Sequence, residues 1–155
     1  MIELFNKILV AVDGSDHADK ALGYALGLAE NCGSELILMT AYQKRVLPGI
    51  GADDDYEDKI DMEIYEKYWG SIKASHEGIL AKAESRVKKE QPSIKYTTEL
   101  DEGRPATEII ASAKRNNVDL IVMGSRGIGG VTGWILGSTS KHVVESCTKP
   151  VLVVK

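Results

Sequence analysis

The chain of 155 residues predicts an α/β fold, a parallel sheet of five strands with helices on both faces. Three observations carry that expectation. Short apolar runs alternate along the chain with stretches that repeat at helical spacing. The runs Ile8-Leu-Val-Ala-Val12 and Leu120-Ile-Val-Met123 are nearly continuous, as strands buried on both faces are. The fourth strand then leads through Gly124-Ser-Arg-Gly127 and nine further residues to Gly137-Ser138-Thr139-Ser140, a glycine-rich loop ending on a helix start.

Each element has its own signal. Residues 8–12 form the first strand, and a helix follows that Ser15 or Asp16 can cap. Its stripe is Ala18, Ala21, Leu22, Ala25, Leu26, Ala29 and Cys32, and Gly33 suits the left-handed position past its end. Residues 35–42 read as the second strand. Residues 43–55 lose the pattern and contain proline, glycine and acids, which predicts a mobile loop longer than most connections in such folds. Ile60, Ile64, Tyr68, Ile72, His76, Ile79, Ala83 and Val87 predict one long helix over 56–89, ended by Gln91-Pro92 and bent at Gly70 or Gly78. Alternation at Ile94, Tyr96 and Thr98 predicts an outer third strand over 93–100. Gly103-Arg104-Pro105 opens a third helix with proline in its first turn, Ala106, Ile109, Ile110 and Ala113 face the core, and Asn116-Asn117 stops it. The fourth strand is 120–123, the fourth helix 138–146 and the fifth strand 151–154.

This length suits one domain, which buries about 68–70% of the surface its unfolded chain exposes. No apolar run approaches the roughly 18 residues of a membrane span, and the Met1-Ile-Glu-Leu start lacks a basic and apolar signal segment. A soluble cytoplasmic protein is expected, with neither membrane nor nucleic acid as partner. Cys32 and Cys147 are far apart and each falls on the apolar side of a predicted helix, which predicts buried free thiols. The net charge is −4, yet residues 53–63 alone contribute −6 and residues 104–155 contribute +4. The segment carrying the glycine loop is therefore locally basic.

Two familiar phosphate motifs are absent. A Walker A loop needs lysine after its last glycine, where Ser138 stands, and a dinucleotide fingerprint from Gly127 and Gly129 needs glycine at Thr132. Asp53-Asp54-Asp55 reads as a solvated run, and His17, His76 and His142 fall on separate predicted helices without forming a ligand cluster. Gly137 to Ser140 would hold phosphate through backbone N–H groups and three hydroxyls, since a helix's first turn leaves its donors unpaired and its dipole favours an anion. Ordinary N-capping by Ser138 is the alternative. Arg126 would pair with a phosphate or remain solvated.

At this point the chain resembles the universal stress proteins. Gly124, Gly127, Gly137 and Ser138 match the spacing of that family's ATP-binding members. Lys7-Ile-Leu-Val-Ala-Val-Asp13-Gly-Ser15 resembles its first strand and acidic turn, and Lys149-Pro-Val-Leu-Val-Val154 its last strand. The resemblance implies an open doubly wound sheet in the order 3-2-1-4-5. Strands one and four would then meet at a topological switch point, where open α/β sheets bind ligands, with Asp13 and Gly124 across one cleft. It also implies that Gly124 and Gly127 are points of close approach to ribose and phosphate. Thr40 and Ala41 would offer backbone contacts to adenine, and Ala11, Val12 and Met123 would wall its pocket. Asp13 would bind ribose hydroxyls or reach Mg²⁺, directly or through water, or else be a helix-capping aspartate before Gly14-Ser15.

Three functions stay open on these residues. The first is an ATP-binding stress-response regulator that changes shape or partner affinity with nucleotide state, hydrolysing slowly or not at all, with AMP or ADP as other ligands. The second is an enzyme of a related fold that splits ATP or makes adenylates, for which Asp13-Gly14-Ser15-Asp16 replaces the Ser-Gly-Gly loop of a pyrophosphatase type. The third is a nucleotide-free scaffold. The apolar Val151–Val154 strand would form a sheet edge, and unpaired edges invite a second chain. The resemblance turns this into a two-fold homodimer, with an unidentified protein partner beyond it; a buried monomeric edge covered by the acidic loop is the alternative.

Overall fold

The computed structural model describes residues 4–44, 58–126 and 136–155. Five strands, β1 (Lys7–Ala11), β2 (Glu35–Tyr42), β3 (Tyr96–Glu102), β4 (Leu120–Gly124) and β5 (Val151–Val154), form one sheet in the order β3-β2-β1-β4-β5. Every neighbouring pair is parallel. Among the described residues four helices connect them: α1 (Asp16–Cys32), α2 (Asp58–Glu90), α3 (Pro105–Arg115) and α4 (Ser138–Ser146).

Strand alternation divides the interior in two. Ile8, Val10, Leu36, Leu38, Leu120 and Val122 point to one face, where they pack with Leu22, Leu26, Leu80 and Val87 of α1 and α2. Leu9, Ile37, Met39, Ile121 and Met123 point to the other, against Ile109 and Ala113 of α3 and Val143 of α4. Ile8, Leu36 and Leu38 are fully buried, each contributing about 1.5–3 kcal/mol of apolar transfer free energy. The continuous hydrophobicity of β1, β2 and β4 is the direct consequence of helices on both faces.

The helix ends bear out the capping signals. Ser15 caps α1, its Oγ accepting from the Ala18 amide, and Asp16 and Asp19 lie in the first turn beside the positive end of the helix dipole. Gly33 adopts φ 69° and donates to Ala29 O, while Ser34 N also donates there, closing the helix as the sequence predicts. Pro105 occupies the first turn of α3, and Asn117 takes the left-handed φ of 50° after its end. Cys32 and Cys147 are free thiols; both are half-buried rather than buried, because Cys32 ends the helix and Cys147 forms the C-cap of α4.

Candidate functional site

The chain winds from β1 outward through β2 to β3, then returns across β1 to β4 and continues to β5. This reversal places the carboxyl ends of β1 and β4 side by side, with Val10 in register with Val122. The β1–α1 turn, the residues after β4 and the first turn of α4 converge there. Asp13 Oδ1 accepts from Ser15 N at 2.9 Å, which tightens the turn and leaves the half-buried carboxylate at the strand end. Gly14 adopts φ 83°, a conformation that favours glycine at this bend.

Backbone bonds fasten the loop after β4 on both sides. Ser125 N donates to Val154 O at 2.8 Å, and Ser125 O accepts from Gly137 N at 2.7 Å. Ser140 Oγ donates to that same carbonyl oxygen at 2.9 Å. Gly137 is the N-cap of α4, and among the described residues no side chain caps this helix. The first intrahelical bond runs from Lys141 N to Gly137 O, so the amides of Ser138, Thr139 and Ser140 precede the helix ladder. Ser138 is exposed, Thr139 half-buried and Ser140 2% exposed.

The structure therefore assembles most of the sequence-selected residues at one place and sorts them by direction. Ala11, Ala41 and Met123 share the α3–α4 face. Val12 turns to the opposite face, where it belongs to the α1–α2 core and lines a cleft of about 310 Å³ that also includes Gly14, Lys82 and Arg86. Thr40 is 3% exposed within β2, in register with Leu100. Arg126 is half-buried beside Ser125. Gly127 lies outside the described residues, as do the Asp53-Asp54-Asp55 run and most of the acidic loop.

Two features were not visible in the sequence. An added Cβ on Gly124 would stand 2.7 Å from His17 Cβ and 2.8 Å from the His17 carbonyl carbon, so this glycine admits the first turn of α1. His17 and Ser125 also meet, with Nδ1 and Oγ 2.9 Å apart. The partners are more than a hundred residues apart in sequence, and only the Gly-Ser-Arg context of Ser125 hinted at the site.

The sequence pattern of the universal stress protein family matches residues 4–155. The chain belongs to that family. The universal stress protein YxiE of Bacillus subtilis is 35% identical over 158 residues, covering 98% of this chain and all of YxiE. The solved MJ0577 protein of Methanocaldococcus jannaschii superposes with a TM-score of 0.80 at 25% identity, over 98% of this chain and 96% of that one. A universal stress protein from Archaeoglobus fulgidus, solved in complex with dAMP, is 26% identical with a TM-score of 0.62, over 98% and 99% of the two chains. The sheet order and the doubly wound architecture are those of the family. No helix among the described residues is long and apolar enough to cross a membrane.

Proposed function

We propose that this universal stress protein binds an adenine nucleotide at the β1–β4 switch point, with ATP as its ligand. Binding would regulate a stress response stoichiometrically, through shape or partner affinity, with slow or no hydrolysis. The observation that carries this reading is the first turn of α4, which no side chain of the described residues caps, following Gly137 beside the end of β4. Its amides suit the phosphates, because they have no intrahelical acceptor and the helix dipole favours negative charge there. Ala11, Ala41 and Met123 are an apolar set on one face, suited to a purine. The dAMP-bound relative from Archaeoglobus fulgidus supports the ligand class.

The residues fit the nucleotide unevenly, and the unevenness assigns roles. Ser138 and Thr139 would offer hydroxyls to phosphate, whereas the Ser140 hydroxyl is engaged with the backbone oxygens of Ser125 and Gly137. Gly137 N is likewise engaged with Ser125 O, so these two residues would shape the turn while the amides behind it take the anion. Arg126 would add a cation at the loop. Asp13 would hold a ribose hydroxyl or a water of Mg²⁺, which prefers oxygen ligands and retains its waters. Among the described residues no group of three His, Cys, Asp or Glu is placed to hold a metal ion, so Mg²⁺ would arrive with the phosphates. Rapid phosphoryl transfer calls for an oriented base and clustered cations; binding needs only the turn and the pocket.

Thermal unfolding with and without Mg-ATP tests the proposal. Nucleotide at about 100 times its dissociation constant should stabilise the fold by about 2.7 kcal/mol, a rise in Tm of about 5–10 °C for a chain of this size. An unchanged Tm, with no adenine nucleotide found by native mass spectrometry of the purified protein, would refute it. We further propose a homodimer through the outer edge of β5, where Val151, Leu152 and Val153 are only half-buried and Val144 of α4 is 45% exposed.

A further inference from the structure

We propose that His17 is a positioning residue for the nucleotide site, acting through Ser125 on the turn that opens α4. This rests on the nucleotide-binding reading above but assigns a role to a side chain outside the phosphate turn. Three observations converge on the assignment. His17 Nδ1 lies 2.9 Å from Ser125 Oγ, and Ser125 is only 4% exposed, so among the described residues the imidazole is the partner of a hydroxyl largely withdrawn from water. The carbonyl of that same serine receives Gly137 N and Ser140 Oγ, at 2.7 and 2.9 Å, and these bonds set where the α4 amides point. Gly124 lets the first turn of α1 approach closely enough for the His17 bond to form; a Cβ there would lie 3.0 Å or less from His17 and Ala18.

The chain of contacts thus runs from His17 to Ser125 to Gly137 and Ser140, joining the N-terminal turns of α1 and α4 across the switch point. Ser15 Oγ reaches Arg126 O at 3.4 Å and gives α1 a second, longer contact with the same loop. Imidazole suits this position because either tautomer makes the bond: Nδ1 accepts from the hydroxyl when Nε2 carries the proton, and donates to it otherwise. Without the ring, Ser125 would be free to take another rotamer, and the peptide that orients Gly137 would lose the shorter of the loop's two contacts with α1, leaving only the 3.4 Å contact from Ser15. The amides behind Gly137 would then sample geometries that do not converge on one phosphate.

Three variants of the full chain, His17→Ala, His17→Asn and Ser125→Ala, test the assignment with two readouts. The first readout is amide exchange at Gly137 in nucleotide-free protein; the second is the dissociation constant for Mg-ATP by calorimetry. His17→Ala should accelerate Gly137 exchange and weaken binding roughly tenfold, within the ordinary range of coupling between neighbouring sites. His17→Asn places a side-chain amide where Nδ1 stands and should restore both, a rescue that loss of packing alone would not show. Ser125→Ala should match His17→Ala, and the double variant should be no weaker than either single one. Unaltered Gly137 exchange in His17→Ala, failure of asparagine to rescue, or additive losses in the double variant would each overturn the assignment. If wild-type protein held no Mg-ATP, the nucleotide reading would fall, while exchange at Gly137 would still decide whether His17 governs the turn.

Discussion

Gly124 shows how one missing side chain organises the switch point. Its absent Cβ would lie 2.7 Å from His17 Cβ, 2.8 Å from the His17 carbonyl carbon and 3.0 Å from Ala18 N. Two of these three atoms belong to the backbone of a capped helix, so little can yield. Gly124→Ala should therefore lose about 1–3 kcal/mol in urea unfolding, as overpacked sites do. Gly137→Ala should lose less, since its Cβ would meet Ser125 O at 3.1 Å and Arg126 Cα at 3.4 Å, distances that a shift of tenths of an ångström relieves. Equal stability of Gly124→Ala and wild type would show that the close approach does not constrain this position. Motif spacing selects both glycines but assigns Gly124 to ligand approach. The structure adds that Gly124 faces α1, a packing duty hidden by sequence distance. Asp13 is similar: its position at the end of β1 was readable, and its bond to Ser15 N shows that it also braces the turn.

The outer strand β3 was the element read least accurately, and its chemistry explains why. Pairing begins at Tyr96, opposite Leu36, and extends to Glu102, opposite Tyr42, instead of covering 93–100. A turn in which Ile94 N donates to Gln91 O holds the chain after α2, delaying the strand. At the far end Asp101 and Glu102, beyond the expected span, look like loop residues, yet their charges are met by Arg115 and Lys44 from other segments. The long helix was readable from its period; Gly70 and Gly78 leave it a single element of 33 residues, and an added Cβ at either would meet nothing within 4 Å. Glu99 is the clamp between β3 and α3, accepting from Ser112 Oγ at 2.5 Å, Arg115 at 2.7 Å and Asn116 at 2.7 Å. Burial works to raise its carboxyl pKa, but the bonds from Ser112, Asn116 and Arg115, with the Arg115 charge, outweigh burial and hold it below the usual carboxylate range. A carboxyl whose pKa falls on folding stabilises the native state above its unfolded value of about 4.3 and loses that contribution as pH drops through the folded value. Glu99→Gln should thus cost about 1.5–3 kcal/mol at neutral pH. The gap from wild type should narrow as acid carries the solution below pH of about 4. Urea midpoints across that pH series check it, and a gap independent of pH would mean that charge is not what holds the clamp.

Assembly of five strands with helices on both faces was readable because buried parallel strands carry an unmistakable apolar run, whereas the order 3-2-1-4-5 came through resemblance to the family. Alternation alone does not say which strand lies at which edge. Among the described residues the order leaves β5 at one edge, paired on one side to β4. Ladder geometry then determines which backbone groups remain available for a second chain. Ile121 N donates to Pro150 O and Ser125 N to Val154 O, so the even-numbered residues of β5 turn their peptide groups toward β4 and Val151 and Val153 turn theirs outward. An outward N–H and C=O on an apolar strand form a template for antiparallel pairing with the same strand of another protomer. Val153→Pro removes one outward donor without removing any donor that faces β4, a substitution that edge strands tolerate. Light scattering on a sizing column should then find wild type as a dimer and Val153→Pro shifted to monomer at equal concentration, with the melting transition of the fold preserved. A wild-type protein that stays monomeric over the whole concentration range, or a proline variant that still pairs, would place any contact between protomers somewhere other than the β5 edge.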